Sequence, residues 1–309
     1  MQIRGQFSDF FFETMLPALN AKIWQNFKAK PRQLDKLMRV ETTNRSIEQY
    51  VVMAGVGLPV QVQETEDTPT DTFVQGPYQN FKPVKYGLGI AASQELVEDD
   101  KVGIISRRAV ALSNSIGQAR EIQAASVYNN GFDSTGAYYG PDGVALFSSS
   151  HPLIKAGGVQ NNLLSVASDL DVASLELALT DWELTKTHEG FLQMLPTPRL
   201  LVASGNRWNA AEILKSQQRS DTANNATNAF KFTETGGQID SIVWPYLSDP
   251  DAWFLVGPPD ETEMIWLDRK APYTKSDYVE KNETGYVFMR YRATYGFYGW
   301  RAVYGTPGA

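Results

Sequence analysis

The apolar pattern is most regular between Ile90 and Gly131. Ile105, Ala109, Leu112, Ile116 and Ala119 recur at four, three, four and three residues, which lays one apolar stripe along a helix of period 3.6. The stretch has no proline, and Asn129-Asn130-Gly131 supplies a C-terminal stop. The spacing predicts a helix over Asp100 to Tyr128, a rod of roughly 40 Å at ~1.5 Å per residue. A strut of that length is more than a compact domain needs and points to a plate-like or elongated protein.

Upstream, the pattern is broken. The clusters Phe10, Phe11, Phe12, Met15 and Leu16, then Ile23, Trp24 and Phe27, then Leu34, Leu37 and Met38 are separated by Pro17 and by Lys30-Pro31, which predicts short helical pieces. Such an arm is ordered only if a neighbouring subunit or its own body ties it down. Residues 58 to 74, LPVQVQETEDTPTDTFV, alternate apolar and polar around an acidic, Pro- and Thr-rich turn, with FKPVKYG following toward Gly87. This is a hairpin pattern, with arms reaching ~35 Å at the strand rise. It has too few large apolar residues for a buried sheet. It is therefore either a mobile surface loop or an arm that projects from the body and lies on a neighbour, with Glu64, Glu66, Asp67 and Asp71 at its acidic tip.

Downstream, turns are expected at Gly140-Pro141 and Asp142-Gly143, with a short strand at Val144 to Phe147. Residues 171 to 188 place Leu175, Leu179 and Trp182 on one helical face, behind Asp171 or Ser174 as N-cap. RLLVA (199 to 203) is strand-like, NRWNAAEILKSQ (206 to 217) reads as a helix capped by Asn206, and residues 218 to 229 read as an exposed polar loop. Three strand patterns follow, IDSIVW, AWFLVG and TEMIWL, the latter two joined as a hairpin through Pro258-Pro259-Asp260. The last stretch, GYVFMRYRATYGFYGWRAVYG, fits two long strands broken near Gly296 and Gly299. Helices and strands come in mixed, non-alternating order, which makes the fold class α+β.

Composition adds bounds to this picture. A chain of 309 residues with 42% apolar and 12% aromatic content can bury a large core. There is no apolar run of membrane-spanning length and no signal peptide, so a soluble protein made in a cytoplasm is expected. Without cysteine there is no disulfide, thiolate metal site or cysteine nucleophile. The net charge of −7 argues against a protein built to grip nucleic acid. Yet residues 21 to 45 carry seven basic groups (Lys22, Lys28, Lys30, Arg32, Lys36, Arg39 and Arg45) against Asp35 and Glu41, a balance of +5 that leaves −12 for the rest. Such asymmetry fits a tail contacting nucleic acid, or a basic arm meeting an acidic surface on another copy.

Candidate chemistry is sparse. His151 lies near Ser148, Ser149, Ser150 and Asp142, but the chain lacks a G-x-S-x-G elbow, and a turn histidine before Pro152 accounts for it. His188 suits the C-terminal end of the predicted helix. Gly87, Gly89 and Ala92 spell G-x-G-x-x-A without a preceding buried strand or a following acid, and the acidic runs lack the spacing of a calcium loop. No catalytic, cofactor-binding or metal-binding residue is assigned, and no cofactor is expected. A soluble enzyme using His151 is the rival from another functional class.

Four segments carry a resemblance: VEDDKVGIISRRAVALSNSIGQA (97 to 119), DGVALFSSSHPL (142 to 153) followed by NNLLS (161 to 165), LPTPRLLVASGNRWNAAEIL (195 to 214) and SIVWPYLSDPDAWFLVG (241 to 257). In this order they resemble the Mu-like major head subunit family, tailed-bacteriophage major capsid proteins of the Hong Kong 97-like fold. They cover about half the chain; after Lys270 no family pattern guides the assignment.

The resemblance implies an N-terminal arm (1–52), an extended β-hairpin loop (53–86), a peripheral domain with the spine helix (87–164), an axial domain (165–268) and return strands to the peripheral domain (269–309). The implied function is structural, not enzymatic: hexamers and pentamers self-assemble into an icosahedral shell around double-stranded DNA, held without sequence-specific contacts and without a membrane. Location would be the virion capsid, with assembly in the host cytoplasm. A separate scaffold, a portal and a decoration protein are the implied partners, and an encapsulin-like protein-cargo shell is the alternative. The expected inter-subunit contacts are Lys28, Arg32 and Arg39 against Glu64, Glu66, Asp67 and Asp71; a capsomer-axis loop would present Arg219, Asp221, Asn224 and Asn225. Val97 to Asp100 would be the turn feeding the spine. Gly103 and Gly117 would mark where the spine starts and where it bends as the shell matures.

Overall fold

The computed structural model describes residues 5–99, 103–133, 135–136, 138–216, 228, 230 and 239–309. The N-terminal pieces form one continuous helical rod: α1 (Gly5–Phe10) runs into a π-helical turn (Phe11–Met15) and then α2 (Leu16–Ala29). Pro17 therefore does not separate the first two clusters. It sits in the first turn of α2, where a missing N–H is tolerated, and the π turn before it lets the Leu16 N–H reach the Phe11 carbonyl. The break at Lys30-Pro31 is present, with Lys30 in the extended conformation that a following proline favours.

Beyond this break come α3 (Leu34–Leu37), β1 (Arg39–Thr42), β2 (Glu48–Ala54), β3 (Val74–Phe81), β4 (Val84–Ser93), α4 (Gln94–Glu98) and the long helix α5 (Ile104–Asn129). α5 has 26 residues, about 39 Å of rod at 1.5 Å per residue. It starts at Gly103, whose φ of +68° lies in the left-handed region that glycine enters without strain. Ile105, Ala109, Leu112 and Ile116 are buried, Ala119 is half-buried, and the stripe continues through Ala124, Ala125 and Tyr128. Leu19, Ile23 and Phe27 of α2 pack into the same core. Polar contacts fix the register: Asn26 Nδ2 donates to Asn114 Oδ1 (2.7 Å), Ser113 Oγ to the Ile23 carbonyl (3.1 Å), and Lys22 Nζ to Ser106 Oγ (2.7 Å). The arm is thus tied to its own body through α5.

The rest of the chain gives β5 (His151–Pro152), β6 (Val159–Gln160), α6 (Val172–Glu183), β7 (Arg199–Val202), α7 (Arg207–Lys215), β8 (Ser241–Val243), β9 (Trp253–Val256), β10 (Met264–Val279), β11 (Thr284–Phe297) and β12 (Val303–Thr306). One four-stranded sheet has the order β1-β10-β11-β4 and the other β12-β9-β7-β8. In the first, β11 pairs antiparallel with both β10 and β4, and β1 joins parallel to β10. α5 lies on this sheet, with Tyr291, Met289 and Val287 of β11 in the shared core.

Several local expectations are corrected. The Pro258 turn forms, with the Glu261 N–H donating to the Pro258 carbonyl, but β9 and β10 belong to different sheets, so it is a crossover and not a hairpin. The two C-terminal strands are likewise divided between sheets, and β12 has four residues rather than being long. Val144 to Phe147 is not a strand: Leu146 and Phe147 are buried from an irregular backbone whose Phe147 N–H donates to the Gly131 carbonyl. α6 is capped by Asp171, whose carboxylate accepts the Ser174 N–H while Ser174 Oγ accepts the Asp171 N–H, and it ends at Glu183, so His188 lies outside it. Asn206 holds the N-cap position of α7, but its amide donates to the Pro250 carbonyl (3.0 Å) instead of capping. Residues 218–227 and 229 of the expected polar loop, and Asp100 of the expected turn, lie outside the described residues.

Candidate functional site

The two histidines are built into packing. His151 is fully buried, with Nδ1 2.6 Å from Asp142 Oδ2, Nε2 3.1 Å from Asn162 Oδ1, and its ring stacked on Trp300. Asn162 also accepts the Ser148 N–H and donates to the Leu146 carbonyl. The second ring nitrogen thus faces an amide and not a hydroxyl, so the group fastens the 142–162 loops together and lacks the geometry of a triad. His188 is buried beside Arg301, whose Nη1 donates to its Nε2 at 2.6 Å. Burial, and then the Arg301 charge, push its pKa down to about 4. Among the described residues, no three His, Asp or Glu side chains are grouped to hold a metal ion, and no helix is long and apolar enough to cross a membrane.

The surface holds the candidate site instead. β2 and β3 pair antiparallel, and Gly55–Phe73 between them is an irregular excursion, so the alternating segment itself is the connection and not the strands. Its root is pinned. Lys155 Nζ reaches Asp71 Oδ2 (2.5 Å) and the carbonyls of Gly55 and Thr72, Asp71 accepts the Gly57 N–H (2.7 Å), and the Glu189 carboxylate accepts the Gly55 N–H. Lys155 and the N–H groups of Gly57 and Thr72 hold the Asp71 carboxyl down at about 2. The large apolar side chains of the excursion are uncovered: Leu58 is 67% exposed, Val60 62% and Phe73, beside the root, 66%. Glu64, Glu66 and Asp67 are exposed at its far end, where Thr65 takes a positive φ.

The basic residues divide. Lys28 is exposed. Arg32 Nη2 donates to the Phe27 carbonyl (3.1 Å) with its guanidinium 3.9 Å over the Phe27 ring, and burial followed by repulsion from Arg120 lowers its pKa. Arg39 pairs with Glu41 (2.7 Å) and lies over Tyr298. Arg39 and Asp71 therefore already have partners of opposite charge within the subunit, whereas Lys28, Glu64 and Asp67 form no ion pair among the described residues. Arg219, Asp221, Asn224 and Asn225 lie outside the described residues.

Sequence comparison gives this α+β body with its uncovered excursion a family. The family model described as phage capsid protein matches residues 78–306, well over half the chain. The chain belongs to the phage capsid protein family. No curated protein sequence matches this capsid protein. Its fold is similar to that of a chain in the procapsid of bacteriophage JBD30 (14% identity, TM-score 0.51, covering 95% of this chain and 75% of that one) and of a chain from Mycobacterium phage Bobi (14%, 0.53, 90% of each). It is also similar to that of a virus-like particle from Pyrococcus furiosus (9%, 0.55, 94% and 98%). At these identities the likenesses establish the fold alone.

Sequence reasoning missed the buried charges that join the capsid protein's layers. Arg120 makes a bidentate pair with Asp268 (3.1 and 2.9 Å), its guanidinium 4.8 Å from the centre of the Trp266 ring and 5.6 Å from that of Tyr291. Glu121 accepts from Trp244 Nε1 (2.8 Å) and the Leu34 N–H (3.3 Å), binding arm, spine and second sheet at one carboxylate; burial raises its pKa. A signal existed, since Arg120 stands four residues after Ile116, in the continuation of the apolar stripe.

Proposed function

We propose that this capsid protein is the major head subunit of a tailed phage, with a Hong Kong 97-like fold of the Mu-like type. Its hexamers and pentamers close an icosahedral shell around double-stranded DNA held without sequence-specific contacts. Residues 1–52 act as the N-terminal arm, 53–86 as the extended loop, 87–164 as the peripheral domain and 165–268 as the axial domain. Residues 269–309 return to the peripheral sheet before β12 pairs with β9. The role is structural, the place is the virion capsid after assembly in the host cytoplasm, and a separate scaffold, a portal and a decoration protein complete the particle. Arg219, Asp221, Asn224 and Asn225 belong to the loop at the capsomer axis.

The observation that carries this reading is the pinned, uncovered loop: three large apolar side chains, Leu58, Val60 and Phe73, have no cover on their own subunit. A neighbouring copy covers them. The acidic tip then meets the basic arm of that neighbour, with Lys28 and Arg32 as the available cations and Glu64, Glu66 and Asp67 as the available anions; Arg39 and Asp71 support the two surfaces from within.

Electron microscopy of the purified protein tests the assembly, with closed icosahedral shells as the expected result. A monomer, or shells filled with a protein cargo, would overturn the phage-head reading. Reversing Glu64, Glu66 and Asp67 together to Lys tests the charge pairing. Particle yield should fall while the subunit's melting temperature stays within a few degrees, and normal yield refutes the pairing.

A further inference from the structure

The turn joining α2 to α3 overhangs the middle of α5 and leaves a cleft of about 240 Å³, lined among others by Lys30, Arg32, Gln33, Gly117, Trp244 and Tyr246. Gly117 is the unusual wall. It lies inside a long helix, where glycine is weaker than alanine, and a Cβ placed on it meets nothing within 4 Å. The internal packing of the subunit does not require glycine there. Its effect is to keep the cleft open.

The lining specifies an occupant. Lys30 and Arg32 form no ion pair among the described residues, so neither cation at the mouth is held by a carboxylate in direct contact, although Asp35 and Glu121 act on Arg32 from farther off. Gln33 Oε1 is a buried acceptor with no donor. Glu121, the carboxylate in the wall, is engaged by the Trp244 indole and the Leu34 N–H. An occupant must therefore bring an anion for the cations and an N–H for Gln33. A phosphodiester supplies the first and has no donor; an acidic peptide supplies both.

We infer that the Gly117 cleft receives the acidic loop tip, Glu64 to Asp67, of a second copy of this chain. The inference rests on the arm-to-loop pairing proposed above and names its docking place. The tip has the matching chemistry: Glu64 and Asp67 are exposed and form no ion pair among the described residues. They flank a turn in which Thr65 takes a positive φ and the Glu66 N–H donates to the Gln63 carbonyl, with no hydrogen bond shown for the backbone N–H groups of Glu64, Thr65 and Asp67. The Lys155–Asp71 pair anchors the loop's root, and Glu64, Glu66 and Asp67 stay exposed on their own subunit, which leaves the tip to a neighbour.

The absence of natural cysteine makes the test clean. Gly117→Cys is combined in turn with Glu64→Cys, Glu66→Cys and Asp67→Cys, and assembled particles are treated with a short bismaleimide. Cross-linked chains larger than one subunit are expected from at least one pairing and from neither single variant. Gly117→Leu, which fills the cleft, should cut particle yield at least tenfold while the subunit melts no lower than the parent. Absence of any cross-link together with unchanged yield for Gly117→Leu overturns the inference. If that result accompanies a loss of yield in the triple Lys reversal, the arm-to-loop pairing stands and only the docking place fails. Ultraviolet cross-linking of packaged DNA to Lys30 or Arg32 in place of the cysteine cross-link also overturns it, in favour of a phosphate occupant.

Discussion

Arg120 and Asp268 meet where water is excluded, and the cost of removing either one is set by the charge left behind. Arg120→Ala or Asp268→Ala should lower the unfolding free energy by about 3 to 5 kcal/mol, whereas replacing the pair together with Met and Leu should come out near neutral. Urea unfolding of the unassembled subunit reads both outcomes. His188 makes a pH-dependent contribution at the same scale. Its folded pKa of about 4 lies below the ordinary 6.5, because burial and the Arg301 guanidinium oppose a second positive charge. Between those values the unfolded chain binds the proton and the folded one does not. Stability from this group is therefore complete above pH 6.5, falls as the pH drops toward 4, and is flat below. The loss should be on the order of 3 kcal/mol, and His188→Gln should remove that part of the pH profile of the melting temperature.

At the scale of elements, the loop root is held by Lys155 in two ways, as ion-pair partner of Asp71 and as donor to two loop carbonyls. An exposed ion pair contributes only ~0 to 1 kcal/mol, so Lys155→Ala should barely move the melting temperature. Hydrogen exchange across Gly55–Phe73 should nevertheless speed up severalfold, because the anchors at both ends of the excursion loosen together. No change in exchange would show that the Glu189 contact and the β2–β3 ladder suffice. The elements themselves were legible to different degrees. α5 and α6 could be read because a 3.6 period with local caps is written within one stretch of chain. The continuity of the N-terminal rod across Pro17 could not, since it depends on a π turn, and the separation of β9 from β10 could not, since sheet membership is decided by distant strands. In the candidate site, the exposure of Glu64 and Asp67 was readable from local composition. The anchoring of Asp71 by Lys155 and of Arg39 by Glu41 depended on folded geometry. The period-2 pattern of residues 58 to 74 led to strands this subunit does not form, because Leu58 and Val60 have no partner surface within it.

For the whole molecule the question is which term holds copies together, and the magnitudes decide it. Three or four exposed ion pairs supply at most a few kcal/mol, and salt shortens their reach from ~10 Å at 0.1 M to ~3 Å at 1 M. Fully burying Leu58, Val60 and Phe73 on a neighbour contributes about 1.5 to 3 kcal/mol each, and salt does not screen it. Apolar burial should therefore dominate the strength of the contact, with charge governing register and rate of encounter. Two triple variants separate these roles. Leu58→Ser, Val60→Ser and Phe73→Ser together should abolish particles at any ionic strength while leaving the subunit folded, since these side chains are exposed before assembly. Glu64→Gln, Glu66→Gln and Asp67→Asn together should slow assembly at 0.1 M salt and approach parental behaviour at 1 M, where the parent's own charges are screened. Light scattering during assembly at the two salt concentrations distinguishes them. A neutralised tip that abolishes particles at both, beside a serine variant that still assembles, would reverse the ranking and make charge the principal bond of the shell.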